Sequence, residues 1–334
     1  MSFRSRASAM RPLHVGLIGA GHFGRFHALK SHASTRETLE ILYDPDPSRA
    51  QSVAREVGCD VAEDIPALLA RVEAVIIAAP AEHHYALAAT CLEAGKHVLI
   101  EKPIAATREE GEKLGALAAA QNCVLQVGHL LRYSAEHKAI STRVTKPIYI
   151  EATRIAPFKD RGTDVSVILD LMIHDLDLVL SFVRSPIRDI DALGVAVSSA
   201  HEDIANARVR FENGCVATIT ASRISLKTER KMRIFGAEGY LSADFMKREL
   251  TFIGRERGLP LPGTGGFRRE AIHWKDHDNI EAEHAAFVAS CQDGAPVLVN
   301  AEAGIRALDA ALRITACIEE SRARVLASGL GQLP

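Results

Sequence analysis

What this sequence does not contain already excludes several classes of protein. Its six cysteines, Cys59, Cys91, Cys123, Cys215, Cys291 and Cys317, form no CxxC pair and no compact group, so neither a disulfide framework nor a cysteine zinc site is encoded. They read as buried small hydrophobes in a reducing compartment, the cytoplasm. No window reaches the ~20 apolar residues of a membrane span. The basic start MSFRSRASAMRP is followed by no apolar stretch of signal-peptide length before Gly19 and Gly21. An excess of one charge is also missing: 40 Lys and Arg against 42 Asp and Glu leave a net charge of -2, whereas nucleic-acid binders carry a strongly basic face. Repeats and low-complexity tracts are absent. What remains is 334 residues of ordinary globular composition, 47% hydrophobic and 25% charged, enough for about two domains with their own cores.

From Leu13 to about Val127, short β-branched runs alternate with longer amphipathic stretches, the βαβ pattern of a parallel sheet. The expected strands are His14 to Ile18, Leu39 to Tyr43, Ala74 to Ala79, His97 to Ile100 and Val124 to Val127. Helical periodicity covers Ser48 to Val57, His83 to Ala94 and Arg108 to Gln121, with Thr107 and Glu110 at capping-box spacing. Right-handed crossovers then give an α/β, doubly wound Rossmann sheet over residues 1–128. After Thr145 the strands alternate, as in Ala207 to Phe211, and Asn213-Gly214 before Val216 to Thr220 is a strong hairpin signal. Residues 129–334 are therefore expected to form an α+β domain with a large, open, mostly antiparallel sheet, helices on one side and an interface for further copies. Ala307 to Ala316 in the C-terminal helical tail is expected to pack back on the first domain, and Gly258 to Gly266 to form a mobile surface loop.

The first strand runs into Gly19-Ala20-Gly21-His22-Phe23-Gly24, and a helical pattern from Phe23 follows. GxGxxG alone is weak, but between a strand and a helix it specifies a dinucleotide site. The first glycine permits the tight turn, the second lets the backbone approach a pyrophosphate, and the third lets helix pack on strand. The helix N-terminus supplies amide donors for the phosphates. Asp44 closes the second strand 20 residues past Gly24, the spacing of the acid that binds ribose hydroxyls. Its charge repels a 2′-phosphate, which favours NAD over NADP, although Ser48 or Arg49 could tolerate a phosphate. Asp44 before Pro45 could alternatively be a turn residue.

Glu101-Lys102-Pro103 follows an apolar strand at the carboxyl end of the sheet, where Pro103 biases Lys102 away from helical geometry. A lysine beside an oxidised nicotinamide ring is suited to proton exchange with a hydroxyl, and a solvated turn lysine is the plain alternative. Asp170, His174 and Asp177 fall at i, i+4 and i+7 of an otherwise apolar helix, so they share a face while Asp175 points elsewhere. A carboxylate one turn from a histidine orients the ring for general-base work; a satisfied charge cluster is the alternative. Ala79, Pro80, His83 and Glu101 at strand ends are further candidates for contact with the nucleotide. His273, His277 and His284 lack an acidic cluster with zinc-site spacing, so no metal is expected, and Trp274 reads as packing.

GAGHFG, the Asp44 position, EKP at Glu101 to Pro103 and DLMIHD at Asp170 to Asp175 together resemble the Gfo/Idh/MocA family of sugar and cyclitol dehydrogenases, over essentially the whole chain. The resemblance implies a Rossmann domain followed by an α+β domain whose open sheet builds dimers or tetramers. It also implies an active-site pair, Lys102 and His174, with Asp170 as acidic partner. The stretch Arg161 to Asp175 is most similar to a branch that oxidises UDP-N-acetylglucosamine at its 3-hydroxyl for a partner aminotransferase in lipid A biosynthesis. With that branch, Arg132, Arg154, Arg161 and Asp177 become candidates for holding the sugar nucleotide, because arginine forks suit a diphosphate; Lys159 lies among them. Oxidation of a free sugar or inositol is the alternative activity, and a non-catalytic NAD-binding sensor the alternative of another class.

Overall fold

The computed structural model describes residues 11–159, 165–275 and 277–328. They form two compact units, the first ending at Gly128 and taking in Asn279–Glu302, the second comprising His129–Asp278 and the chain from Ala303 onward. In the first unit strand and helix alternate: β1 (Leu13–Ile18), α1 (His22–Ala33), β2 (Glu37–Tyr43), α2 (Pro47–Val57), β3 (Asp60–Val61), α3 (Ile65–Leu69), β4 (Ala74–Ile77), α4 (His84–Glu93), β5 (His97–Glu101), α5 (Arg108–Ala120) and β6 (Leu125–Gly128). The strand order is β3-β2-β1-β4-β5-β6, with every neighbouring pair parallel. The connection reverses direction between β1 and β4, the switch point where such sheets receive ligands beyond the carboxyl ends of the strands. All four residues of β4 are buried, as a strand covered on both faces requires.

Helix starts are set locally. Thr107 and Glu110 make the reciprocal capping box at α5, and Asp46 accepts from the amides of Ser48 and Arg49 at α2, whose first turn holds Pro47. The short β3 and α3 carry too few residues to show a period, and sequence patterning did not indicate them.

The second unit contains α6 (Ala135–Ser141), β7 (Pro147–Ile155), a π turn (Ile168–Met172) leading into α7 (Ile173–Val183), then β8 (Ile187–Val195), β9 (Ile204–Phe211), β10 (Val216–Ser222), β11 (Glu229–Gly236), β12 (Gly239–Asp244), β13 (Glu249–Gly254), β14 (Leu259–Pro260) and β15 (Arg268–His273). Its nine described strands run in the order β14-β15-β13-β12-β11-β7-β10-β9-β8. All pairs are antiparallel except β10 with β7. The Asn213-Gly214 turn joins β9 to β10 with Val216 opposite Arg210, and Gly214 takes φ 89° there. The chain ends in α8 (Asn279–Asp293) and α9 (Ala301–Ala327).

Two expectations change. α8, with Phe287 and Val288 in the core of the first unit, is the C-terminal helix that belongs to that unit. Ala307, Ala310, Ala311 and Ile314 of α9 lie instead in the core of the second unit, beside Ile173, Leu176 and Val179 of α7. Small side chains let α9 approach β8 closely: Ser321 Oγ donates to Ala192 O at 3.2 Å, and a Cβ at Gly194 would stand 2.9 Å from Ile318. The Gly- and Pro-rich stretch from Gly258 includes β14, paired with β15. Trp274 packs against the core. On the sheet's other face the ring of Tyr149 stacks on Phe235, which meets Tyr240 at a tilt, the three alternating along their strands with buried Ile150, Ile234 and Leu241.

Candidate active site

At the end of β1 the three motif glycines meet different requirements. Gly19 has φ 96°, and a Cβ on it would lie 2.5 Å from Ala78 O, so the turn passes tightly against the end of β4. A Cβ on Gly24 would collide with Gly19 O. Gly21 is different: its backbone is extended, at φ -69° and ψ -164°, and a Cβ there meets nothing within 4 Å. The fold does not need glycine at 21, so the space beside it points to a ligand approaching the backbone. Gly21 is also the N-cap of α1, which has no side-chain cap and no acidic residue in its first turn, leaving its amides suited to an anion.

Asp44 is buried beside this turn. Its Oδ2 accepts from Ala20 N at 2.7 Å and its Oδ1 from Asp46 N at 2.9 Å, and the Arg49 guanidinium stands 3.6 Å from Oδ1. His22 makes edge contacts with Phe23 and Phe26; Phe23 is 43% exposed. These residues fit NAD: a tight glycine turn, uncapped amides for a pyrophosphate and a carboxylate tied to the same turn. Gly21→Asp should keep or raise the melting temperature, since aspartate is a good N-cap. It should also weaken NAD binding by about 10²-fold through charge repulsion. Unchanged NAD affinity by calorimetry would remove the pyrophosphate from this helix end.

Across the switch point, Ala79 and Pro80 follow β4. His83 is exposed and near Glu82, while its neighbour His84 is buried with ring nitrogens 2.9 Å from Ala79 O and 2.6 Å from Pro103 O. His84 thus ties the Pro80 turn to the EKP turn. Lys102 is half-buried at the end of β5, and the Lys102–Pro103 peptide is cis. Glu101 departs from expectation: its carboxylate turns inward, accepting from His27 Nε2 at 2.9 Å, rather than outward toward a nucleotide.

In the second unit the DLMIHD motif is not one regular α-helix. Ile173 N–H bonds back to Ile168 O, the i→i−5 pattern of a π turn, so the phase between Asp170 and Asp177 differs from that of an α-helix. Asp170 and His174 are half-buried, His174 between buried Ile173 and Asp175. Asp177 is 2% exposed, and its Oδ1 accepts from Arg132 NH1 at 3.1 Å. Arg154 gives Nε and one terminal nitrogen to Asp175, at 2.7 and 2.9 Å, so its fork is committed to α7 instead of standing open as a diphosphate clamp. Arg161 lies outside the described residues; Lys159 is exposed.

Sequence reasoning missed one cluster. His284, set aside for want of acidic neighbours, lies 2.7 Å from Glu37 and 2.8 Å from His27. His27, Glu101 and Glu283 form the one described group whose spacing could hold a cation. No spacing signal could reveal it, because His27 and His284 are 257 residues apart.

Residues 13–129 match the oxidoreductase family with an NAD-binding Rossmann fold, Gfo/Idh/MocA, and residues 139–242 match the C-terminal domain of the same family. The chain is 39% identical to UDP-N-acetylglucosamine 3-dehydrogenase from Acidithiobacillus ferrooxidans, over 92% of this chain and 97% of that one. A solved structure of that enzyme superposes with a TM-score of 0.88, covering 93% and 99% of the two chains. An inositol 2-dehydrogenase from Rhizobium meliloti is 25% identical over 90% of this chain and 96% of its own. The protein belongs to the Gfo/Idh/MocA family. It is an oxidoreductase that uses NAD. No described helix is long and apolar enough to cross a membrane.

Proposed function

We propose that the protein oxidises the 3-hydroxyl of UDP-N-acetylglucosamine, giving a 3-keto sugar nucleotide for an aminotransferase that supplies lipid A synthesis. The observation that carries this reading is the 39% identity to the Acidithiobacillus enzyme across both units, against 25% for the inositol dehydrogenase over a similar span. NAD, when bound, supplies the acceptor for the hydride that leaves the carbinol carbon. The Gly19 to Gly24 turn and the first amides of α1 hold its pyrophosphate, Asp44 accepts from ribose hydroxyls and disfavours a 2′-phosphate, and Ala79, Pro80 and His83 border it. Oxidation also frees the hydroxyl proton. In this reading His174, with Asp170 as its acidic partner, receives that proton, and Lys102 hydrogen-bonds the reacting oxygen. Arg132 and Asp177, paired with each other, and Arg154, paired with Asp175, hold α7 in place, which is how they serve the substrate.

The test is absorbance of NADH on mixing the protein, NAD and UDP-N-acetylglucosamine, with the aminotransferase or a carbonyl trap to draw off product. NADH formation that depends on the UDP sugar supports the reading. Turnover of inositol or free sugars alone would replace it with the second reading, which the inositol dehydrogenases among the relatives favour. The stacked aromatic face of the second unit is suited to a second copy of the chain, so a dimer or tetramer is expected; a monomer mass by light scattering would discard that. The six free thiols, five of them pushed up by burial, suit a reducing cytoplasm.

A further inference from the structure

The first unit buries a group of acceptor atoms that the roles above leave unused. Glu283 on α8 and Gln126 on β6 are each 0% exposed. Neither carboxyl oxygen of Glu283, nor Oε1 of Gln126, has a hydrogen-bond partner among the described residues. The Gln126 amide nitrogen donates to Glu283 O at 3.1 Å, which holds that side chain beside α8 with its own oxygen unsatisfied. His27 on α1 and Glu101 on β5 complete the group, since ligand atoms of His27, Glu101 and Glu283 lie within 4.8 Å of one another. A buried acceptor without a donor is costly, and several gathered at one place call for a shared electropositive partner.

The hydrogen count shows that the side chains of this cluster do not supply it. His284 Nδ1 is 2.7 Å from Oε1 of Glu37, which begins β2, so this nitrogen donates. Burial pushes His284 toward its neutral form, which leaves its Nε2 to accept from His27 Nδ1, 2.8 Å away. The one hydrogen of a neutral His27 is then spent at Nδ1. Its Nε2, 2.9 Å from Glu101 Oε1, is left facing a carboxylate with a lone pair. A second proton on His27 would serve Glu101 and leave Glu283 and Gln126 as they are. A proton on Glu283, whose pKa burial and the charge of Glu101 push well above the usual carboxylate range, would leave His27 as it is. A divalent cation takes a lone pair from each of the three ligand residues at once and offsets both carboxylate charges.

We propose that His27 Nε2, Glu101 and Glu283 form a binding site for one zinc ion, which ties α8 to α1 and β5 inside the first unit. The donor set selects the metal. One imidazole nitrogen with two carboxylates suits Zn2+, whereas Ca2+ takes only oxygen ligands and Mg2+ gives up its water reluctantly, which fits poorly with ligands this buried. Zinc bonds of about 2.0–2.2 Å place tetrahedral ligands roughly 3.3 Å apart, near the 2.9 Å between His27 Nε2 and Glu101 Oε1. The supporting contacts are already built. His27 Nδ1 reaches His284 and through it Glu37, a relay ending in a carboxylate of the kind that fixes the tautomer and orientation of a metal-bound ring. Glu101 is held inward against Gly128, where a Cβ would stand 3.1 Å from its Cδ. The ion is structural, because its ligands are buried and the chemistry read above makes no use of them.

The experiment measures metal in the full-length, untagged protein, purified without chelator from cells grown with added zinc. Mass spectrometry of the elements should find about one zinc ion per chain, and crystals should show an anomalous peak at the zinc edge between His27, Glu101 and Glu283. After the metal is stripped, calorimetry with ZnCl2 should restore about one equivalent with a Kd below about 1 µM, while MgCl2 gives no heat. Glu283→Gln and His27→Gln should each weaken zinc binding by about 10²-fold or more, and Glu37→Gln, which leaves all three ligands in place, by about 10-fold. A chelator should lower the melting temperature of the wild type and leave that of Glu283→Gln unmoved. If the ligand variants do not fold, the anomalous map and the wild-type calorimetry decide. Folded wild type with less than about 0.1 zinc per chain and no heat on adding ZnCl2 overturns the inference and leaves a proton as the occupant. Zinc held equally well by Glu283→Gln, or an anomalous peak elsewhere, overturns it as well, the metal being an adventitious ion only. No substrate enters these measurements, so their result is independent of whether the UDP sugar is turned over.

Discussion

Replacing Lys102 by alanine lowers turnover by about 10²-fold or more, with NAD affinity changed by less than about threefold. The asymmetry follows from where the groups sit. The pyrophosphate cradle and Asp44 are built from β1, α1 and β2, which Lys102 does not belong to, so removing its side chain leaves them intact. The loss falls on the reacting oxygen, where an interaction made mainly in the transition state is reflected in kcat more than in KM. Stopped-flow measurement of NADH formation with the active sugar substrate, alongside calorimetry of NAD binding, separates the two. Turnover within about threefold of wild type would remove Lys102 from the chemistry.

Replacing Asp175 by alanine destabilises the second unit by about 3–5 kcal/mol, the cost of leaving a buried charge without its partner. Its melting temperature should fall by on the order of 10 °C. Asp175 and Arg154 are both nearly inaccessible, and the fork-to-carboxylate geometry uses two hydrogen bonds. The register also places Arg230 of β11 directly opposite Arg154 of β7, so without the carboxylate two like charges face each other across a strand pair. Because α7 carries His174, turnover should fall together with stability. Substituting both members, Arg154→Met with Asp175→Leu, should cost less than the single change, since no lone charge is buried. A melting temperature within about 2 °C of wild type for Asp175→Ala would show that the pair contributes little.

The parts of this protein legible in its sequence are those fixed by residues close together along the chain. The GAGHFG turn, the capping box of Thr107 and Glu110, and the hairpin at Asn213-Gly214 each depend on a few consecutive positions, and each forms as the local chemistry requires. The β-branched runs placed five of the six strands of the first sheet, because a strand buried on both faces must be apolar throughout. The alternation of Ala207 to Phe211 likewise announced a sheet with one covered face.

Where the sequence reading departed from the structure, partners distant in sequence had decided the outcome. Glu101 could be assigned to the nucleotide because nothing near it in the chain shows His27, 74 residues away, waiting beneath the sheet. Arg154 looked available until the pairing of β7 with its neighbours set it over Asp175. The π turn at Ile168–Met172 carries no periodic signature, since five residues are too few to separate its repeat from that of an α-helix. By itself the sequence determined the parallel α/β first unit and the glycine turn with Asp44, because hydrogen-bonding and steric rules act over a single turn or strand, whereas Lys102 and His174 became candidates through the resemblance to a family. Only the tertiary structure decided which charged and polar groups pair with one another, because those energies depend on distance and burial in space, and folding brings together residues as far apart as His27 and His284.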